Sequence, residues 1–303
     1  MGPQSKDPFM YRAYIALVVV GFVWGSNYIF MKMATAVIDP LQVVFLRVLA
    51  GFLPLLAVAL WSGALNRGQL RHLPHFIVMS VLATSFYYYG FVAGTARLPS
   101  SVAGLLGGAI PIVTFVTSLL FLRSERPTRL MAIGVATGFL GIVLTARPWE
   151  GGGGIDPVGV AWVMAGTTSV GVSFVYARRH LSPLGLSPIA LATWQTGIAL
   201  LTLAAVTDFD GMSAILSDRA ALMALILGLG VLGTGLAYLI YYYILQRLGA
   251  VGASGATYLP VVVAVLIGAA VGERVTLTEV AALVLILGGV AAIQIGRQRS
   301  AVA

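Results

Sequence analysis

The stretch YGFVAGTARLPSSVAGLLGGAIPIVTFVTSLLFL, Tyr89 to Leu122, lies without a gap on YLIYYYILQRLGAVGASGATYLPVVVAVLIGAAV, Tyr238 to Val271, at a shift of 149 residues. Pro111 meets Pro260 in this alignment, and after one deleted residue Glu125-Arg126 meets Glu273-Arg274 and Gly141 meets Gly289. Upstream, Pro40 and Arg47 meet Pro188 and Gln195 at a shift of 148. Any two apolar segments agree at Ala, Leu and Val. Paired prolines and paired Glu-Arg dipeptides need a further cause, and an internal repeat supplies it.

Outward from this stretch the chain divides into ten apolar runs of about 20 residues, the length that crosses a bilayer as a helix: 12–34, 41–61, 73–95, 101–122, 129–146, 157–179, 187–207, 220–244, 251–271 and 276–296. Asp39-Pro40, Arg126-Pro127, Arg147-Pro148, Asp156-Pro157 and Ser187-Pro188 punctuate them with turn and helix-start signals. Runs 220–244 and 276–296 are continuously apolar, unlike the alternating ten-residue strands of a membrane barrel. Composition agrees. Of 303 residues, 59% are hydrophobic and 9% charged, whereas a soluble domain carries about 25% charged residues. Each half holds five runs, an odd number, so the halves enter the membrane in opposite orientations. The expected fold is therefore an all-α integral membrane protein of ten transmembrane helices, arranged as two inverted-topology five-helix repeats over 10–150 and 151–299. Such repeats are typical of secondary transporters, whose substrate site lies at the repeat interface near the midplane. Met1 to Phe9 reads as an appended, disordered segment ahead of a natural start at Met10. Gly151 to Gly154 reads as a flexible joint between the halves.

The net charge of +8 is a topology signal. If both termini share a side, that side collects twelve of the eighteen basic residues, among them Arg67, Arg71, Arg178 and Arg179, while eight of the ten acids lie opposite. Basic loops stay cytoplasmic, so both termini are expected inside, and nucleic acid is not needed to explain the charge. The absence of cysteine excludes thiol catalysis and Cys-ligated zinc. Only His72, His75 and His180 remain as histidines, so neither metal nor cofactor is expected. Gly228 to Gly233 fits G-x-G-x-x-G, yet no strand precedes it, and close helix packing explains it better than a dinucleotide. Gly21/Gly25, Gly90/Gly94, Gly104/Gly108 and Gly134/Gly138 carry the same small-residue spacing. No Walker A, H-E-x-x-H or G-x-S-x-G occurs, so an enzyme has no visible parts.

Polar residues at membrane depth are the site candidates. Arg47 lies well within a run, and either pins helices through backbone hydrogen bonds or meets a substrate carboxylate. Asn27 and Gln195 are mid-membrane amides that require partners. Trp24 shares a face with Asn27 and Met31, and Trp194 adjoins Gln195. Tyr89 belongs to a tyrosine triplet, while Tyr238 and Tyr242 stand four apart on one helix face. These phenols either pack helices or offer ring contacts to an aromatic substrate. No Asp or Glu sits mid-run, and Glu125, Glu273 and Glu279 at run ends read as loop ion pairs or helix caps.

Trp24-Gly25-Ser26-Asn27, Pro40 followed by Arg47, the proline inside the fourth run, Glu125 and Glu273 closing runs four and nine, and the glycines of runs five and ten resemble the drug/metabolite transporter superfamily. More narrowly they resemble its EamA-type ten-helix exporters, and the aromatic richness is similar to the YddG-type aromatic amino acid exporters. The second half departs from the pattern, since Val170-Gly171-Val172-Ser173 stands where the Trp24 motif recurs. The resemblance implies alternating access, a small-molecule substrate and a membrane-lipid environment. The expected function is export of amino acids, neutral and with large apolar or aromatic side chains, or of related metabolites, by uniport or facilitated diffusion from a bacterial-type inner membrane. Export of lipophilic or cationic drugs, proton-coupled, is the alternative.

Overall fold

The computed structural model describes residues 8–121, 128–150, 154–241, 243, 244, 247 and 255–302, and these contain helices and connecting turns but no strand. Among them nine helices are long and apolar enough to cross a membrane: Tyr11–Thr35 (α1), Pro40–Trp61 (α2), Arg67–Arg97 (α3), Ser100–Phe121 (α4), Arg129–Ala146 (α5), Pro157–Leu184 (α6), Pro188–Val206 (α7), Arg219–Tyr241 (α8) and Leu277–Gln298 (α10). The shorter apolar helix Leu259–Ala270 (α9) falls in the run 251–271, of which 251–254 lie outside the described residues. Glu125, Tyr242 and Gly151 to Gly153 also lie outside them.

Three of the predicted punctuation residues, Asp39, Asp156 and Ser187, act as helix N-caps. The Asp39 side chain accepts from Leu41 N while Gln42 reaches back to the Asp39 amide, with Pro40 in the first turn. Asp156 Oδ1 accepts from Val158 N and Gly159 N at the start of α6, and Ser187 Oγ from Ala190 N at the start of α7. First-turn amides have no partner within the helix, so each such cap contributes about 1 kcal/mol.

Helices meet where side chains are small. A Cβ on Gly134 of α5 would stand 2.5 Å from the carbonyl oxygen of Gly289 in α10, and one on Gly90 of α3 would stand 2.7 Å from that of Trp162 in α6. Besides α5 on α10, α4 packs on α9 and α2 on α7; further contacts join α1 to α8 and α9, α6 to α3 and α4, α2 to α8 and α3 to α7. Three of the helices contain wide π turns, Val81–Ser85 in α3, Ala177–Leu181 in α6 and Ala224–Leu236 in α8. The G-x-G-x-x-G segment lies inside the third of these, packed on α1 and α2, in agreement with close packing.

Two of the run-end acids, Glu273 and Glu279, serve as a cap and an ion pair. Glu279 is buried and lies 3.4 Å from Arg147 across α10 and α5. Glu273, in the turn before α10, accepts from the backbone amides of Ser100 and Ser101 at 2.7 and 2.9 Å, closing the N-terminus of α4. Lys32 Nζ donates to Leu98 O at 2.6 Å beside it. Burial alone would raise the Glu273 carboxyl, but the amides of Ser101 and Ser100 outweigh it and hold it below the usual carboxylate range. A carboxyl lowered in the folded state stabilises the protein above its unfolded value of about 4.3, and that contribution is lost as pH falls through the folded value. Thermal unfolding followed against pH is therefore expected to show a decline below about pH 4.3. Glu273→Gln should lower stability at neutral pH by about 1 kcal/mol and remove that part of the acid decline.

Candidate functional site

The polar centre is built on Arg47, seven residues into α2 and 4% exposed. Its Nε donates to Thr234 Oγ1 at 3.2 Å, its Nη1 lies 3.8 Å from Met31 Sδ, and its guanidinium carbon sits 3.8 Å above the centre of the Tyr88 ring. Thr234 is fixed in turn, because Oγ1 donates to Leu229 O at 2.9 Å across the π turn, and the Tyr88 hydroxyl stands 3.5 Å from the same oxygen. Among the described residues no carboxylate pairs with Arg47. Insertion of an arginine at mid-membrane costs about 2.5–3.5 kcal/mol, and a desolvated cation–π contact returns about 2 kcal/mol. Neutral partners therefore hold the guanidinium in place while leaving its charge uncompensated.

A second polar contact stands opposite in the sequence repeat. Gln195, the counterpart of Arg47, donates from Nε2 to Thr84 Oγ1 at 2.9 Å. Thr84 lies in the π turn of α3, and its counterpart at the 149 shift is residue 233, one before Thr234 in the π turn of α8. Asn27, 6% exposed, abuts that same turn: a Cβ on Gly233 would come within 2.5 Å of its Oδ1. This Oδ1 accepts no hydrogen bond among the described residues. A buried carbonyl oxygen left in that condition costs about 1–3 kcal/mol.

Three of the remaining candidates, Trp24, Tyr89 and Trp194, have ring partners of their own. Trp24 packs on Tyr241 at 5.5 Å between ring centres, and Tyr89 meets Trp162 of α6 edge-on at 5.1 Å. Trp194 lies only six residues into α7, stacked on Phe76 with its Nε1 donating to Gln69 Oε1 at 2.8 Å, so it belongs to the end of the bundle that carries the α2–α3 loop. Tyr238 is half-buried on α8. Sequence reasoning named Tyr88 only as one of the tyrosine triplet and passed over Thr234. The triplet Tyr87 to Tyr89 offers one phenol to each of three faces, and only the packing of α3 selects Tyr88. Helical spacing of four could not place Thr234, because a π turn re-phases the helix around it. Met31, Tyr88 and Thr234 are all buried, so the centre is packed. Open grooves lie at the periphery instead, between α1 and α8 and between α3 and α6.

The model of the EamA-like transporter family matches this chain twice, over residues 11–147 and 157–295. An uncharacterized inner membrane transporter of Escherichia coli K12, YedA, is 27% identical over 286 residues, covering 93% of this chain and 90% of its own. An uncharacterized transporter of Archaeoglobus fulgidus is 27% identical over 280 residues, covering 92% and 97%. A protein solved by crystallography superposes with a TM-score of 0.60 over 95% of this chain and 98% of its own at 19% identity, a likeness of fold.

Proposed function

The chain belongs to the EamA-like transporter family, and on that premise we propose that it exports neutral amino acids with large apolar or aromatic side chains by alternating access. The observation that carries the substrate class is Arg47: a buried guanidinium held by a hydroxyl, a thioether and a ring, with no carboxylate pairing with it among the described residues. A substrate carboxylate offers the charge-assisted, two-pronged partner that this geometry lacks. The acceptor oxygen of Asn27 suits the substrate ammonium, and the rings of α3 suit its side chain.

The architecture in this reading is ten crossings in two inverted five-helix halves, 10–150 and 151–299. Three observations support it. The family model matches once in each half. Helix contacts fall into related sets under the exchange of α1–α5 with α6–α10, so that α1 on α9 answers α4 on α6, and α2 on α8 answers α3 on α7. Arg47 on Thr234 answers Gln195 on Thr84. The name of the Escherichia coli relative supports an inner-membrane location, and the charge distribution favours both termini in the cytoplasm. On the chain's cysteine-free background, a cysteine replacing Arg67 should be silent to an impermeant maleimide in intact cells and labelled in inverted vesicles. Labelling in intact cells would reverse the orientation.

No acid lies mid-run, so export needs no exchangeable proton. Initial flux of labelled phenylalanine in proteoliposomes, measured with and without a pH gradient at matched membrane potential, tests the reading. Equal rates and ready counterflow are expected. Uphill accumulation driven by the gradient would overturn uniport, and transport of lipophilic cations in place of amino acids would overturn the substrate class.

A further inference from the structure

We propose that the groove between α3 and α6 seats one anionic phospholipid, with its phosphate on the cationic cluster at the groove's end. The groove, about 490 Å³, is lined by Leu82 and Phe86 of α3 and by Met164, Thr168 and Val172 among other residues of α6. Its walls are pinned to each other, since Ser169 Oγ donates to Leu82 O at 2.7 Å. At about 100° per residue through the regular turns, Leu82 shares a face with His75, seven positions earlier, and Val172 shares one with Tyr176, four positions later, while Arg179 follows on the π turn beyond Tyr176. The apolar track thus runs straight into the polar ends of the same two helices. From Phe86 to His75 it rises about 16 Å, the depth of one leaflet of a hydrocarbon core about 30 Å thick.

At that end the charged side chains of the two described turns, Arg67–His72 and Ala177–Leu181, are all bases. His75 Nδ1 and the Tyr176 hydroxyl share a hydrogen bond of 2.7 Å, and the His75 and His180 rings stack at 5.5 Å. Arg71 lies one turn before His75, with its Nε donating to His72 Nε2 at 2.8 Å. Arg178 and Arg179 stand exposed on the π turn Ala177–Leu181 that follows α6's regular turns. Neither this turn nor the Arg67–His72 turn contains an acid. A free phosphate would use the cations and ignore the groove, whereas an ordinary annular lipid would use the groove and ignore the cations. A phospholipid of negative headgroup uses both. The cluster lies at the end that the charge distribution assigns to the cytoplasm, where the leaflet is anionic. The inference needs a membrane protein and does not depend on its substrate.

Native mass spectrometry of the full chain released from detergent, titrated with phosphatidylglycerol or phosphatidylcholine of the same acyl chains, tests it. One phosphatidylglycerol should be retained at least about tenfold better than phosphatidylcholine, as expected where more than one cation contributes. The Arg71→Gln/Arg179→Gln double variant should lose about fivefold of that preference per arginine while binding phosphatidylcholine as before. Leu82→Trp fills the groove without touching a charge, and should release phosphatidylglycerol even if the arginine variant fails to fold. Equal retention of the two lipids, a preference that survives the double variant, or displacement of the lipid by inorganic phosphate alone would each overturn the proposal.

Discussion

Replacing Arg47 by Met is expected to abolish amino acid export while leaving a folded protein. The two effects separate because the guanidinium contributes to them with opposite signs. For folding, Arg47 is a cation within an apolar run with neutral partners, and its removal relieves an insertion cost of about 2.5–3.5 kcal/mol against the loss of its hydrogen bond to Thr234, a weak contact with the Met31 thioether and one cation–π contact. Thr234 keeps its own bond to Leu229 O, and Tyr88 keeps its packing, so little is left unsatisfied. For transport, the guanidinium is the proposed partner of the substrate carboxylate. Truncating one side of a buried, hydrogen-bonded charge pair costs about 2–5 kcal/mol, so flux should fall by roughly a hundredfold or more. Arg47→Lys keeps the charge but loses the planar fork, and should recover only part of the activity. Flux in proteoliposomes and thermal unfolding in detergent check the two halves. Unchanged transport by Arg47→Met removes the residue from the site, and a chain that unfolds without it makes Arg47 a helix pin.

Gly289→Leu is expected to have the largest effect on stability of any single change considered. A Cβ there would lie 2.5 Å from Gly134 O and 2.6 Å from Gly138 N, backbone atoms of α5 that cannot turn aside as a side chain can. The two helices would have to part, and in a bilayer close packing is the main force that holds helices together. Overpacking in a well-packed interior costs about 1–3 kcal/mol and sometimes more; with two backbone clashes the upper end or beyond is expected, enough to lose most folded protein on purification. Its neighbour supplies the control. A Cβ on Gly288 meets nothing within 4 Å, so Gly288→Leu should purify like the parent chain. Comparable behaviour of the two variants would mean that α5 and α10 do not approach as described.

The spans are legible in the sequence because a bilayer imposes a length that a soluble fold does not, and because Asp39, Asp156 and Ser187 announce helix starts whose amides have no other partner. Of the ten runs, nine hold long helices among the described residues, and the ninth run, 251–271, holds the shorter α9. The polar centre is legible only in part. Arg47, Asn27 and Gln195 stand out as polar atoms in apolar runs, and all three are buried. The aromatic residues do not stand out, because an apolar helix is lined with them on every side. Trp24, Tyr89 and Trp194 therefore find ordinary ring partners away from Arg47, while Tyr88 and Thr234 reach it through the packing of α3 and the π turn of α8. Neither is encoded in a 3.6-residue period. The repeat explains where to look, since Arg47 and Gln195 are counterparts, and it also shows the asymmetry: one half presents a cation and the other an amide.

The most direct test of a carboxylate-binding centre is counterflow in proteoliposomes loaded with unlabelled phenylalanine, comparing uptake of labelled phenylalanine with that of labelled phenylalanine amide. The two differ at the group assigned to Arg47 and share the ring and the amine. The account predicts rapid counterflow of the acid and, with an uncompensated buried guanidinium facing a neutral amide, at least about a thirtyfold slower entry of the amide. Equal counterflow of acid and amide would contradict it.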